Sequence, residues 1–224
     1  MTSGHVRDGD PTTDGRSEAH HSTAVGLRSE PIQARSAARL SGLLDSAAAI
    51  IDEFGYERLT TAMVAERAEA SIGTIYRYFP DRIALLRALA HRNLDRILDE
   101  TAAAINDPAS SDPVDALMSA IEVIVGAFRT EPGYRALRVG DVIDVRPAPE
   151  PRNTAVAAHL LRTLDERFGI GGGEQAQRHF EVMVEVVDAL ASRAFARDAS
   201  GDETFLIALR EFAERSAREL LVAR

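Results

Sequence analysis

The sequence predicts an all-α protein, and three observations carry that expectation. Past residue 30 the apolar residues recur three and four apart, as in Leu40, Leu43, Leu44, Ala47, Ile51 and Phe54, which puts them on one stripe of a helix. No stretch shows the strict apolar–polar alternation of a half-buried strand. Helix-ending residues then cut the chain into helix-sized pieces: Gly55, Pro80, Asn106-Asp107-Pro108, Glu131-Pro132-Gly133, the GIGGG run at 169–173, and Asp198-Ala199-Ser200-Gly201.

Residues 1–30 are rich in Ser, Thr, Gly, Asp and His with hardly any apolar side chain, so they are expected to be a disordered tail. No signal sequence is expected in this polar start. His5, His20 and His21 lie there without rigid neighbours, and no metal site is expected. The first helix is predicted over 32–54, ending at Gly55, with Arg35 and Arg39 near its start either touching phosphates or simply solvated. Tyr56 and Leu59 are expected to plug the gap between this helix and the next.

Residues 60–82, TTAMVAERAEASIGTIYRYFPDR, read as a helix-turn-helix. Thr60 is a good N-cap, because its hydroxyl can accept from an orphan amide, and Met63, Val64, Ala65 and Ala68 follow at helical spacing. Ser71 can cap the second helix, 72–79, which Pro80 closes because proline disfavours helical geometry in the residue before it. On a wheel of 100° per residue, Ile75, Tyr76 and Phe79 fall within about 60° of Ile72, while Gly73, Thr74, Arg77 and Tyr78 point away. So short a helix must lean on its predecessor and present its other face outward. Gly73 allows close backbone approach, Thr74 offers a hydroxyl and a methyl, Arg77 can reach phosphate or guanine, and the tyrosines can bond phosphates. This surface suits the DNA major groove.

A long helix is predicted from Asp81 to the break at Asn106, with Leu85, Leu86, Leu89, Leu94, Ile97, Leu98 and Ala102 on its apolar side. At about 25 residues it is long enough to leave one domain and enter another. His91 on it is expected to be structural. Further helices are predicted over 114–129, 134–139, 153–168, 174–197 and 202–222, with an extended Pro-rich loop at 146–151. The glycine run at 169–173 is a connector, since no strand precedes it and no Lys or Ser/Thr follows it as a phosphate loop requires.

The net charge of −9 is unevenly distributed: −2 over 1–30, +1 over 31–93 and −8 over 94–224. The segment with the motif is the one that is not acidic, and DNA would repel the acidic remainder, orienting the protein on it. All 26 basic residues are Arg, the side chain suited to bidentate contacts. The chain has no cysteine, which excludes disulfides, thiolate catalysis and Cys-based zinc sites and fits a reducing cytoplasm. No apolar run of about 18 residues exists, so no membrane span is expected. An enzyme fails on inventory: beyond the tail only His91, His159 and His179 remain, and no spacing resembles a catalytic triad or metal site. No cofactor is expected.

The run 40–89, containing LLDSAAAIIDEFGYERLTTAMVAERAEASIGTIYRYFPDRIALLRAL, resembles the DNA-binding domain of the TetR family of transcriptional regulators. The resemblance rests on the helix ending at Phe54-Gly55, the paired Thr60-Thr61 and the IYRYFPDR signature. It implies a three-helix helix-turn-helix domain over 31–93, joined by the long helix to a helical effector-binding and dimerisation domain over 94–224. It implies phosphate contacts from Thr60, Thr61, Tyr76, Tyr78 and Arg82, and base-edge readout near Ser71, Gly73, Thr74 and Arg77. The family's last two helices form a four-helix bundle with a second copy, which here implies a homodimer through Phe180, Val184, Val187, Ala191, Phe205, Leu209 and Phe212. Resemblance and long helix together imply an effector pocket near Leu98, Met118, Ile121, Val125, Phe128, Val142, Leu161, Leu164 and Met183, whose aliphatic lining favours a small hydrophobic molecule. The implied function is a repressor that binds a palindromic double-stranded operator as a dimer and is released by that effector. Two positions depart from the family pattern. Glu69 stands where a glycine is usual in the inter-helix turn, at a cost of about 1 kcal/mol if it is left-handed. Arg82-Ile83 replaces a Lys-Glu pair. The alternative is a helical interaction protein that has lost specific DNA binding, for which Glu69 is the one hint.

Overall fold

The computed structural model describes residues 26–131, 133–134 and 152–221. Among the described residues there are eight α-helices, one 3-10 turn and no strand, as the periodicity predicts. The helices are α1 (Gly26–Phe54), α2 (Thr61–Arg67), α3 (Ile72–Tyr78), α4 (Arg82–Ile105), α5 (Pro113–Thr130), α6 (Arg152–Phe168), α7 (Glu174–Ala194) and α8 (Glu203–Leu221); the 3-10 turn is Tyr56–Arg58. The described residues fall into two units, the first ending at Arg39 and the second beginning at Leu40.

Helix α1 begins at Gly26, inside the stretch expected to be tail, because a helix already formed adds each residue for one more hydrogen bond. Residues 1–25 of that expected tail lie outside the described residues. So do 135–151, which contain most of the predicted 134–139 helix, the Pro-rich loop and Val142.

From Leu40 onward the helices bury two apolar cores. The first joins Leu43, Leu44, Ala47, Ala48, Ile50 and Ile51 of α1 to Leu59, Val64, Ala65, Ile75, Phe79 and the Leu85, Leu86, Leu89 face of α4. Tyr56 packs against this core and Leu59 is buried in it, so the two do plug the gap after α1. The second core is built by Ile97 and Ile105 of α4 with the inner faces of α5, α6, α7 and α8. Helix α4 therefore serves both cores, its first turns in one and its later turns in the other. Between them sits Asn93, 3% exposed, whose amide oxygen and nitrogen have no hydrogen-bond partner.

Polar contacts fix the crossing of α4 over its neighbours. Arg92 donates to the Asp45 carboxylate at 2.6 Å, and Arg96 makes a two-pronged pair with Glu131 at 2.7 and 2.9 Å. The chain after α5 presses on α1 at Gly133, which has φ of +72°; a Cβ there would lie 3.3 Å from Ile51 and 3.4 Å from the Ala48 carbonyl. Only glycine meets both demands. Arg167 on α6 donates to the Ser110 carbonyl at 2.6 Å and to the carbonyl of Ile105, tying down the α4–α5 connection. Asp112 caps α5 by accepting from the Val114 and Asp115 amides, with Pro113 in the first turn where it needs no donor.

Candidate nucleic-acid interface

Both helices of the motif start as their sequences dictate. The Thr60 hydroxyl accepts from the Met63 amide at 3.1 Å, the Ser71 hydroxyl from the Thr74 amide at 3.1 Å, and the Asp81 carboxylate from the Ala84 amide at 2.7 Å. Each cap satisfies one of the amides a helix start leaves orphaned. The turn between α2 and α3 is held by two backbone bonds, Ala70 to the Ala65 carbonyl at 2.8 Å and Glu69 to the Glu66 carbonyl at 3.1 Å. That is the Schellman pairing, which requires a left-handed residue at its centre. Glu69 occupies it with φ of +46°, the one non-glycine residue of positive φ among the described residues. The turn keeps its shape, and Glu69 carries the strain.

Helix α3 is rotated relative to the expected wheel. Ile75 and Phe79 are buried, but Ile72 is 45% and Tyr76 53% exposed, whereas Tyr78, expected to point outward, is half-buried against the first core. The packed arc is centred between Ile75, Phe79 and Tyr78, roughly 60° from the arc centred on Ile72. The physical reason is that a seven-residue helix offers two overlapping apolar arcs, and α2 with α4 supplies a surface for one. Ile72, Gly73, Tyr76 and Arg77 are left exposed on the outer side.

Of the residues expected to touch phosphate, Thr60 and Tyr76 are exposed and Thr61, Tyr78 and Arg82 half-buried. Arg82 is already employed: its guanidinium donates to the Tyr56 carbonyl, stapling α4 to the 3-10 turn. Of those expected to read bases, Ser71, Gly73 and Arg77 are exposed, with the Arg77 guanidinium 5.3 Å from the Tyr78 ring. Thr74 is half-buried and its hydroxyl lies 2.9 Å from that of Ser71, so it belongs to the cap. An ion pair of Arg67 with Glu53 braces α2 on α1. The sequence wheel missed Ile72, because an apolar residue was assigned to the core by type alone.

In the second core the expected pocket residues Ile121, Val125, Phe128, Leu161, Leu164 and Met183 are buried, and Leu98 and Met118 pack on its margin. A small cavity of about 10 Å³ lies elsewhere, floored by Ile97, Ile124, Val156, Val184 and Val187 and rimmed by Tyr134, Arg152, Asn153 and Asp188. None of the eight described candidates lines it. One step along a helix turns a side chain by 100°, so Ile97 faces the space where Leu98 does not. At its rim Arg152 donates to the Tyr134 hydroxyl at 3.0 Å and Asn153 to the Glu185 carboxylate at 2.9 Å. Nearby on α6, burial pushes the His159 imidazole below its ordinary pKa, with the Arg162 charge acting the same way.

The residues expected at the dimer interface divide by burial. Phe180, Val184, Val187, Ala191 and Leu209 are at most 3% exposed within one protomer, and Phe205 and Phe212 pack on the margin of its core. The first five are enclosed and have no surface left for a second copy, whereas Phe205 and Phe212 keep part of theirs. The outer faces of α7 and α8 instead expose Val182 at 59% and Ile207 at 48%.

The comparisons with known proteins agree with this arrangement. The profile described as "Bacterial regulatory proteins, tetR family" matches residues 43–89, and "Tetracyclin repressor-like, C-terminal domain" matches 111–217. The crystal structure of a TetR-family transcriptional regulator from Streptomyces coelicolor is 30% identical, with a TM-score of 0.69 over 82% of this chain and 99% of that one. The HTH-type transcriptional repressor KstR of Rhodococcus jostii is 30% identical over 122 residues, 54% of this chain and 56% of the relative. KstR of Mycolicibacterium smegmatis is 42% identical over 59 residues, 26% of this chain and 29% of the relative. The chain thus spans about half the length of the first of these two relatives and less of the second.

Proposed function

The chain belongs to the TetR family of DNA-binding transcriptional regulators, and we propose that it is a repressor that binds a palindromic operator as a homodimer and leaves it when a small amphipathic molecule binds the second core. Its role is regulatory and not enzymatic. In this reading 31–93 is the DNA-binding domain and 94–224 the effector and dimerisation domain. The observation that carries the reading is α3: a capped helix, docked by Ile75 and Phe79, with Gly73, Tyr76 and Arg77 turned outward at the head of a helix that also reaches the second core.

One α3 spans too few base pairs for a specific site, so two copies related by a two-fold axis would read half-sites about 34 Å apart or a multiple of it. The exposed Val182 and Ile207 support a pairing through the outer faces of α7 and α8. Phosphate contacts fall to Thr60, Thr61 and Tyr76, and base contacts to the outer arc of α3. Arg82 acts mainly by holding the 3-10 turn against α4.

The cavity supports an effector with an apolar body against Ile97, Ile124, Val184 and Val187 and a polar group toward Arg152, Asn153 and Asp188. Its volume suits about one water molecule, so an effector enters only by parting α4 from α5, α6 and α7. Moving α4 moves the base on which α3 rests. A ligand acts only through unequal affinity for the two arrangements, and a 100-fold release of operator needs about 2.7 kcal/mol of that difference.

Selection from a random pool of duplexes, followed by binding measured against salt, tests the reading. An enriched palindrome, lost on Arg77→Ala, is the expected result. Failure to enrich any sequence would favour the helical interaction protein. Amphipathic compounds titrated with and without the selected duplex should be weakened by DNA by the factor with which they weaken DNA binding.

A further inference from the structure

Two neighbouring residues at the start of α3, Ile72 and Gly73, have no role in the protein's own packing. Ile72 is 45% exposed beside its cap, on a helix with few residues to spare for idle apolar surface. Gly73 is exposed, has ordinary helical φ, and a Cβ built on it would meet nothing nearer than the Ser71 hydroxyl at 3.9 Å. Neither backbone conformation nor packing within the protein calls for glycine there, and alanine is the better helix former. The missing Cβ therefore makes room for something outside the chain. Tyr76 and Arg77, one turn on, flank the same arc, so Gly73 is the floor of a notch with Ile72 and Tyr76 on one side and the Arg77 cation on the other.

Resting on the DNA-binding reading, we infer that Ile72 is a specificity-determining residue: with Gly73 it receives the 5-methyl group of a thymine in the major groove, at one position of each half-site. The chemistry fits in each part. Isoleucine can neither donate nor accept a hydrogen bond, so the base feature it can discriminate is an apolar one, and the thymine methyl is the one apolar group the major groove presents. The notch lets the α3 backbone come close enough for the methyl to reach the Ile72 side chain. Arg77, on the far side of the notch, is placed for an acceptor-bearing neighbour such as guanine or for a phosphate.

The experiment uses the full-length protein and a duplex selected from a random pool. Each thymine of that duplex is replaced in turn by deoxyuridine, which removes the methyl and leaves the hydrogen-bonding edge intact. In the wild-type protein one thymine per half-site should be sensitive, with uridine weakening binding about three- to fivefold per half-site. Ile72→Ala should bind more weakly and lose that sensitivity, giving equal affinity for the two bases. Gly73→Ala should also lose it, while its thermal midpoint stays at or above that of the wild type, which separates a filled notch from a damaged fold. Equal uridine penalties in wild type and Ile72→Ala, or the absence of any sensitive thymine, would overturn the inference and leave DNA binding standing. If no duplex is enriched at all, the DNA-binding reading itself fails.

Discussion

Replacing Glu69 by glycine should make the protein more stable. The turn it occupies needs a left-handed residue, and Glu69 supplies one at φ of +46°. An L-residue with a side chain pays about 1–2 kcal/mol for that conformation. Glycine escapes the penalty but loses more freedom on folding, which returns roughly 0.4–1 kcal/mol to the unfolded state. Both backbone bonds of the turn come from main-chain groups and survive the change, and the Glu69 side chain is exposed, so no packing is lost. The net expectation is about 1 kcal/mol of added stability, or about 2–4 °C in the thermal midpoint for a chain of this size. Urea unfolding followed by circular dichroism, at one fixed protein concentration because a dimer's midpoint depends on it, would measure this. Glu69→Ala is the control: it removes the charge and keeps the strained backbone, so it should leave the midpoint nearly unchanged. If alanine stabilises as much as glycine, the carboxylate and not the backbone carried the cost. If neither change stabilises, the strain argument is wrong.

Ser71→Ala should cost about 1 kcal/mol, because the Thr74 amide loses its acceptor, and Ser71→Asp should recover most of it; both are read from the same urea curves. Asn93→Leu should add about 1–2 kcal/mol by replacing a buried amide without partners by an apolar side chain of similar size, and a loss of stability would mean that the amide is bonded. Val182→Asp with Ile207→Asp should turn dimers into folded monomers in light scattering with unchanged helicity, whereas Leu209→Asp, in the protomer's own core, should unfold it. His159 has a lowered pKa in the folded state, so below about pH 6.5 the unfolded chain binds more protons and stability falls as pH falls, while above it this contribution is flat. His159→Gln should therefore lose less thermal stability than the wild type between pH 7 and 5.5, and identical slopes would contradict this.

Much of this protein is written locally in its sequence. Thr60, Ser71 and Asp81 each bond an amide three residues on, so residue type and spacing are enough to place the starts of α2, α3 and α4. Gly55, Pro80 and the Asp107-Pro108 break end helices by their own backbone constraints. The stripe 85, 86, 89, 97 marks α4 as a helix serving more than one apolar surface, which is the basis of the switch proposed here. What the sequence left open is rotation. A wheel measures angles within one helix and contains nothing about its neighbours, so it could not decide whether α3 would bury Ile72 and Tyr76 or Tyr78; contact with α2 and α4 decided it. The same limit assigned Leu98 to a cavity that Ile97 lines and left unseen that Phe180 and Leu209 are enclosed within the protomer and that Arg82, expected at phosphate, also donates to the Tyr56 carbonyl 26 residues upstream. These choices depend on contacts between residues far apart in the chain, and only packing in three dimensions selects among faces that are equally apolar in one.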